Sequence, residues 1–226
     1  MSRHSRRSNG GSPCAYNRGV LRVEYALLPL AGEVADVDLL DDAERARAAR
    51  FVSVVARSRF VQVRAALRAE LAHRLGAAPR GLHFTYGRSG KPALAPPFDR
   101  SRLEFSVAHS HDLALLAFAD TVALGVDLER VRALRDADGL AGRVLSEQER
   151  AQLARLSGAA WTEAFFRLWT RKEALVKCFG GSLLGSPPSG EAVGFAEVPV
   201  PAGYVAAVCT AEVEPSLVER PLYSAG

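Results

Sequence analysis

Apolar positions along the chain change rhythm several times, and each change marks an element. Residues 20–28 (VLRVEYALL) are dense in aliphatic side chains and read as a first strand. Residues 41–75 switch to helical spacing, with Phe60, Val63, Leu67 and Leu71 on one face. Asp41, Asp42 and Glu44 favour the start of this stretch, where the helix dipole attracts acids, and Gly76 is the expected stop. The pattern fits one long helix or two. Gly and Pro make residues 86–98 an expected loop. Two short strands follow at 103–109 and 113–119, joined tightly through Ser110, His111 and Asp112, and a third at 121–129 (TVALGVDLE). Ser146, with Glu149 three residues on, predicts a capped helix over 146–156. A second helix spans 161–179 and closes at Gly180 and Gly181. A Gly/Pro/Ser loop occupies 180–190, and further strands are expected at 192–196 and 203–210.

This order predicts an α+β chain in two similar halves, residues 20–120 and 121–226, with a cleft between them suited to a ligand. Residues 1–19, rich in Ser, Gly and Arg, read as a disordered basic leader. They contain no apolar stretch of the secretory kind, and no run of 18 apolar residues occurs anywhere in the chain, so no membrane partner is expected.

Charge changes the picture less than its total suggests. The net +4 comes from Arg3, Arg6, Arg7 and Arg18, and the remainder carries 25 basic and 25 acidic residues. A nucleic-acid partner is therefore not expected. Cys14, Cys178 and Cys209 show neither zinc spacing nor a disulfide framework, which suits a reducing, cytoplasmic compartment. Of 29 basic residues only Lys91, Lys172 and Lys177 are lysines. A compact ammonium suits phosphate, so lysine kept at three points of an arginine-writing chain marks candidate phosphate contacts.

Four segments carry candidate chemistry. Alternation along 121–129 puts Asp127 and Glu129 on one face, beside the small Ala123 and Gly125 that leave that face open. Adjacent carboxylates repel unless a cation lies between them, and Mg²⁺ suits a few carboxylates plus substrate phosphates. A strand end running into a solvated turn would look the same. In the helix 161–179, Glu173 and Lys177 are four apart: either a simple ion pair or a third metal carboxylate with a phosphate-binding lysine one turn on. Lys172 falls near the apolar stripe of Phe165, Leu168, Leu175, Val176 and Phe179, where an ammonium needs a partner. In SVAHSHD, His109 ends a strand; His109 and His111 lack a third nitrogen or sulfur ligand for zinc. In GRSGKP, Lys91 sits in a turn from which it can reach phosphate.

The ordered set GKP, SVAHSHD, GVDLERV and WTRKEALVKCFGGSLL resembles the 4′-phosphopantetheinyl transferases of the surfactin-synthetase type, over residues 20 to 210. The resemblance implies a pseudo-dimer of two α/β halves, sufficient as a monomer, with coenzyme A in the cleft. It implies Mg²⁺ held by Asp127, Glu129 and Glu173, with His109 and Lys177 on the coenzyme A phosphates and Lys91 at the nucleotide. Arg59, Arg64 and Arg68 fall in the segment that resembles the family's arginine-bearing helix and are candidates for the adenosine 3′-phosphate. The implied reaction moves phosphopantetheine onto a serine of an acyl or peptidyl carrier protein of polyketide, nonribosomal peptide or fatty-acid synthesis. Glu173 would activate the serine and Lys177 would stabilise the charge that develops. The carrier surface is expected near the 180–190 loop. One departure stands out: Ala108 occupies a position where the family usually writes serine, a hydrogen bond worth roughly 1.5–3 kcal/mol to a charged group, with Ser110 or a water as the expected substitute. The rival readings are a degenerate coenzyme A- or carrier-binding protein and a Mg²⁺-dependent nucleotide pyrophosphate hydrolase.

Overall fold

The computed structural model describes residues 21–30, 36–87, 90–180, 192–211 and 213–223. The expected basic leader and nearly all of the 180–190 loop, with its proposed carrier surface, lie outside these residues. The α+β expectation holds: nine strands and five helices are present among the described residues.

A four-stranded sheet has the order β4 (Leu103–Ser110), β5 (Leu113–Asp120), β1 (Leu21–Pro29) and β9 (Pro215–Glu219). A three-stranded sheet has the order β6 (Leu124–Arg130), β8 (Tyr204–Ala211) and β7 (Val193–Glu197). Each packs its outer face on one 22-residue helix, α2 (Val54–Leu75) for the first and α5 (Gly158–Phe179) for the second. β5 sets the layering. Its even residues Ala114, Leu116 and Phe118 meet Leu67 and Leu71 of α2. Its odd residues Leu115 and Ala117 meet Leu124, Val126 and Leu128 of β6. A strand buried on both faces needs an unbroken apolar run, which LALLAFA supplies. β9, from the end of the chain, pairs in parallel with β1.

The structure settles one open choice, corrects two expectations and adds two elements. The 41–75 stretch is two helices, α1 (Asp42–Ala49) and α2, because Ser53 accepts the Ala56 N–H and caps a new start. The 86–98 loop contains β3 (Pro92–Leu94), which pairs with β2 (Phe84–Tyr86). α3 (Ala137–Val144) and β9 had no distinct periodic signal, being short and Gly- or Pro-containing. The strand expected over 121–129 starts only at Leu124, after Thr121 at φ +64°. The capping box of Ser146 and Glu149 on α4 (Glu147–Leu153) and the left-handed Gly76 after α2 are as expected.

Candidate active site

Gly125 decides how the site is assembled. A Cβ there would lie 2.0 Å from the Ala174 carbonyl oxygen and 2.4 Å from the Cys178 nitrogen, so only glycine lets α5 lie this close to β6. The face that small residues were expected to leave open is thus filled by the α5 backbone. With α5 pressed on β6, Lys177 Nζ donates to Asp127 Oδ1 at 2.8 Å.

Asp127, Glu129, Glu173 and Lys177 act on one another around this contact. Asp127 is 7% exposed, and its Oδ2 has no hydrogen-bond partner among the described residues. Burial pushes its carboxyl up to about 6, against the pull of Lys177 and with help from Glu129 and Glu173. Burial also raises Glu173, opposed by Lys177 and reinforced by Glu129. Glu129 accepts a hydrogen bond from Ser110 Oγ at 2.8 Å. Among the described residues Lys177 is the cation that acts on Asp127 and Glu173, and Glu129 is met by the Ser110 hydroxyl, so the three carboxylates carry more negative charge than these residues offset when all are ionised. A buried carboxylate oxygen without a partner, in a group short of positive charge, fits a divalent cation with oxygen preference. Among the described residues no three acid, histidine or cysteine side chains are already drawn together around a single point. Lys177 takes the place beside Asp127 Oδ1.

His109, at the end of β4, completes one side. Desolvation lowers its pKa, the Lys177 and Arg59 cations lower it further, and Glu129 opposes them, so its imidazole is neutral at pH 7. Arg59, on α2, pairs with Asp112 in the β4–β5 turn, whose N–H in turn meets the Tyr204 hydroxyl. The two other arginines of that helix turn inward. Arg68 is fully buried and donates to Asp41, Glu44 and the Pro79 and Leu82 carbonyls; Arg64 pairs with Glu44. Arg59 is therefore the arginine of the three that stands with His109. His111 lies exposed in the turn at φ +53°.

Lys91 donates to the Leu124 carbonyl at 2.8 Å, and burial lowers its pKa. With Lys177, Phe98, Glu104 and Phe179 it lines a cavity of about 520 Å³, within the usual range for small-molecule sites. Lys172 stands apart. It pairs at 3.0 Å with Glu149, the capping-box residue of α4, and so ties two helices together. Ala108 is 3% exposed and packs in the core with Val126 and Leu128, so its methyl faces β6, on the opposite side of β4 from His109. Ser106, which opens the SVAHSHD motif but was given no role there, accepts the Val126 N–H from inside the same seam.

The segment holding Asp127, Glu129, Glu173 and Lys177 is also the one that known proteins share. The family model of the 4′-phosphopantetheinyl transferase superfamily matches residues 123–212. Over these residues the chain is similar to that superfamily. A putative 4′-phosphopantetheinyl transferase of Synechocystis, slr0495, is 39% identical over 149 residues, 65% of this chain and 59% of the relative. The 4′-phosphopantetheinyl transferase HetI of Nostoc is 39% identical over 144 residues, 64% of this chain and 61% of the relative. The AcpT transferase of Escherichia coli O157:H7 is 39% identical over 115 residues, 51% of this chain and 56% of the relative. The chain thus spans about six-tenths of the length of the relatives it matches. Within the superfamily segment, β6 and α5 bring the acids and Lys177 together through the contact at Gly125.

Proposed function

We propose that the protein transfers the 4′-phosphopantetheine group of coenzyme A to a serine of an acyl or peptidyl carrier protein, as a member of the surfactin-synthetase type. The observation that carries this reading is the buried Asp127 Oδ2, without a hydrogen-bond partner among the described residues, in an acid cluster where Lys177 pairs with Asp127. The match of residues 123–212 to the superfamily model and the names of the three relatives support it.

Asp127, Glu129 and Glu173 would hold Mg²⁺, which when bound supplies neutralisation of the charge on pyrophosphate oxygens. The remaining steps belong to the chain's own groups. Neutral His109 offers one ring N–H to a phosphate oxygen and keeps the other nitrogen unprotonated. Lys177, one turn beyond Glu173, supplies an ammonium to the phosphate that is transferred. Arg59 stands on the His109 side, within reach of a further phosphate such as the adenosine 3′-phosphate, and the cavity beside Lys91 takes an apolar or nucleotide part of the ligand. Glu173, whose pKa is raised, accepts the proton of the carrier serine, directly or through a water. The serine oxygen bonds to the β-phosphorus, the bond to the leaving phosphate breaks, and adenosine 3′,5′-bisphosphate departs. Positioning and charge stabilisation carry most of such a reaction. The buried free thiols of Cys178 and Cys209 support a reducing, cytoplasmic setting.

The test is to mix the protein with apo carrier, coenzyme A and Mg²⁺ and to weigh the intact carrier. A phosphopantetheine adduct on serine is expected. Cleaved coenzyme A with an unmodified carrier would favour a hydrolase, and intact coenzyme A with several carriers would leave a binding protein.

A further inference from the structure

β6 is an edge strand of its sheet, yet its free edge is not bare. Just beyond its two ends, Ala211 N–H donates to Ala123 O and Val131 N–H donates to Gly203 O. Strand alternation therefore turns the odd-numbered backbone groups of β6 toward β8 and the even-numbered ones outward. Three outward groups find side chains. The Leu124 carbonyl accepts from Lys91 Nζ at 2.8 Å, and the Val126 and Arg130 N–H groups donate to Ser106 Oγ and Ser110 Oγ, each at 3.1 Å. Ser106 and Ser110 are four apart on β4, and Val126 and Arg130 are four apart on β6. The two serines thus act as two rungs of a parallel ladder, with hydroxyls standing in for carbonyls.

We infer that Ser106 and Ser110 are positioning residues that lock the register of β6 and so aim Asp127 and Glu129 at the cation site; this rests on the function proposed above. Ser106 is 1% exposed and touches no open surface, so any effect it has on the site passes through β6. Ser110 does more, because the hydroxyl that accepts from Arg130 also donates to Glu129 Oε2. Register matters here because a one-residue slip would turn both acids away from α5 and into the apolar layer of Leu124, Val126 and Leu128. The helix side is already fixed at Gly125, so the serines supply the constraint from the opposite edge.

The probe is Mn²⁺, followed by its electron paramagnetic resonance signal on the full chain with coenzyme A present, together with backbone amide exchange. Ser110→Ala is expected to weaken Mn²⁺ binding about tenfold, the usual scale for losing a group that orients a metal ligand. Ser110→Thr, which keeps the hydroxyl, restores it to within about twofold, and Ser106→Ala speeds exchange at Val126 while weakening Mn²⁺ about threefold. Should Ser106→Ala not fold, the half-buried Ser110 pair of variants decides. Unchanged Mn²⁺ affinity in Ser110→Ala, even with a lowered melting temperature, would overturn the inference. A wild-type chain that binds no Mn²⁺ would instead overturn the metal reading beneath it, and the positioning role with it.

Discussion

Two of the clusters of charged side chains among the described residues are built on opposite plans. In the first, Asp41 and Glu44 meet Arg64 and Arg68, two acids against two bases. Arg68 spends its remaining donors on the Pro79 and Leu82 carbonyls, and Arg64 and Arg68 both lie over the Phe84 ring. In the second, Asp127 and Glu173 draw on Lys177 beside Glu129, and one oxygen of Asp127 has no partner among the described residues. Each cluster has a buried acid in it, Glu44 in the first and Asp127 in the second, so the difference is one of completion. A buried charge that is fully paired holds elements together, whereas one left short is a place where something else is meant to bind.

The comparison can be broken from either side. The largest effect is expected at the incomplete cluster: Asp127→Ala or Glu173→Ala should each lower transfer to a carrier by at least about a hundredfold, while the melting temperature stays within a few degrees. Full activity in either variant would remove the metal assignment. At the complete cluster the pattern reverses. Arg68→Ala leaves Glu44 and Asp41 short of a buried partner and should cost about 3–5 kcal/mol of stability in denaturant titrations. Transfer per folded molecule should be retained; its selective loss would make Arg68 a ligand contact after all.

A pH measurement sharpens the contrast further. The Asp127 carboxyl is raised in the folded state from 3.8 to about 6, so the folded protein binds the extra proton. Its ionisation therefore costs the fold stability as pH rises through this window, and the cost is complete above pH 6. In chelator, wild type should lose roughly 2 kcal/mol between pH 4 and 7 relative to Asp127→Asn. Mg²⁺ with coenzyme A should cancel most of the difference, and parallel stability curves for the two proteins would contradict the assigned burial cost. Smaller again is Arg59→Ala, which should raise KM for coenzyme A about tenfold with kcat nearly unchanged, the signature of lost ground-state contact. An unchanged KM would put the 3′-phosphate elsewhere. The smallest effect is expected for Ala108→Ser. Alternation aims the Leu128 N–H at the same seam as Ser106 and Ser110, so a third hydroxyl should slow amide exchange at Leu128 severalfold. No change there would mean that the seam has no room for it.

How much of this could be read in the chain follows from which signals are local. The acids and Lys177 were legible because alternation and helical spacing put each on a definite face, and because the motifs kept their order. The capping box at Ser146 was legible for the same reason. The fate of Arg64 and Arg68 was not, because their partners Asp41 and Glu44 are 20 or more positions away and on another helix. Ala108 looked like a lost phosphate donor, but only the pairing of β4 with β5 and its contact with β6 reveal that position 108 faces the core. Gly125 was readable as small and not as tight, since the backbone that fills its side comes from residues 174 to 178. Ser106 stood in the SVAHSHD motif with no sign of its role, because the backbone N–H it meets belongs to residue 126 on another strand.

The most direct test of the central claim is the mass of an apo carrier after incubation with coenzyme A, in Mg²⁺ and in chelator, using wild type and Asp127→Asn. The incomplete cluster predicts a phosphopantetheine adduct for wild type in Mg²⁺ and for no other combination. An adduct formed equally in chelator, or equally by Asp127→Asn, would contradict it.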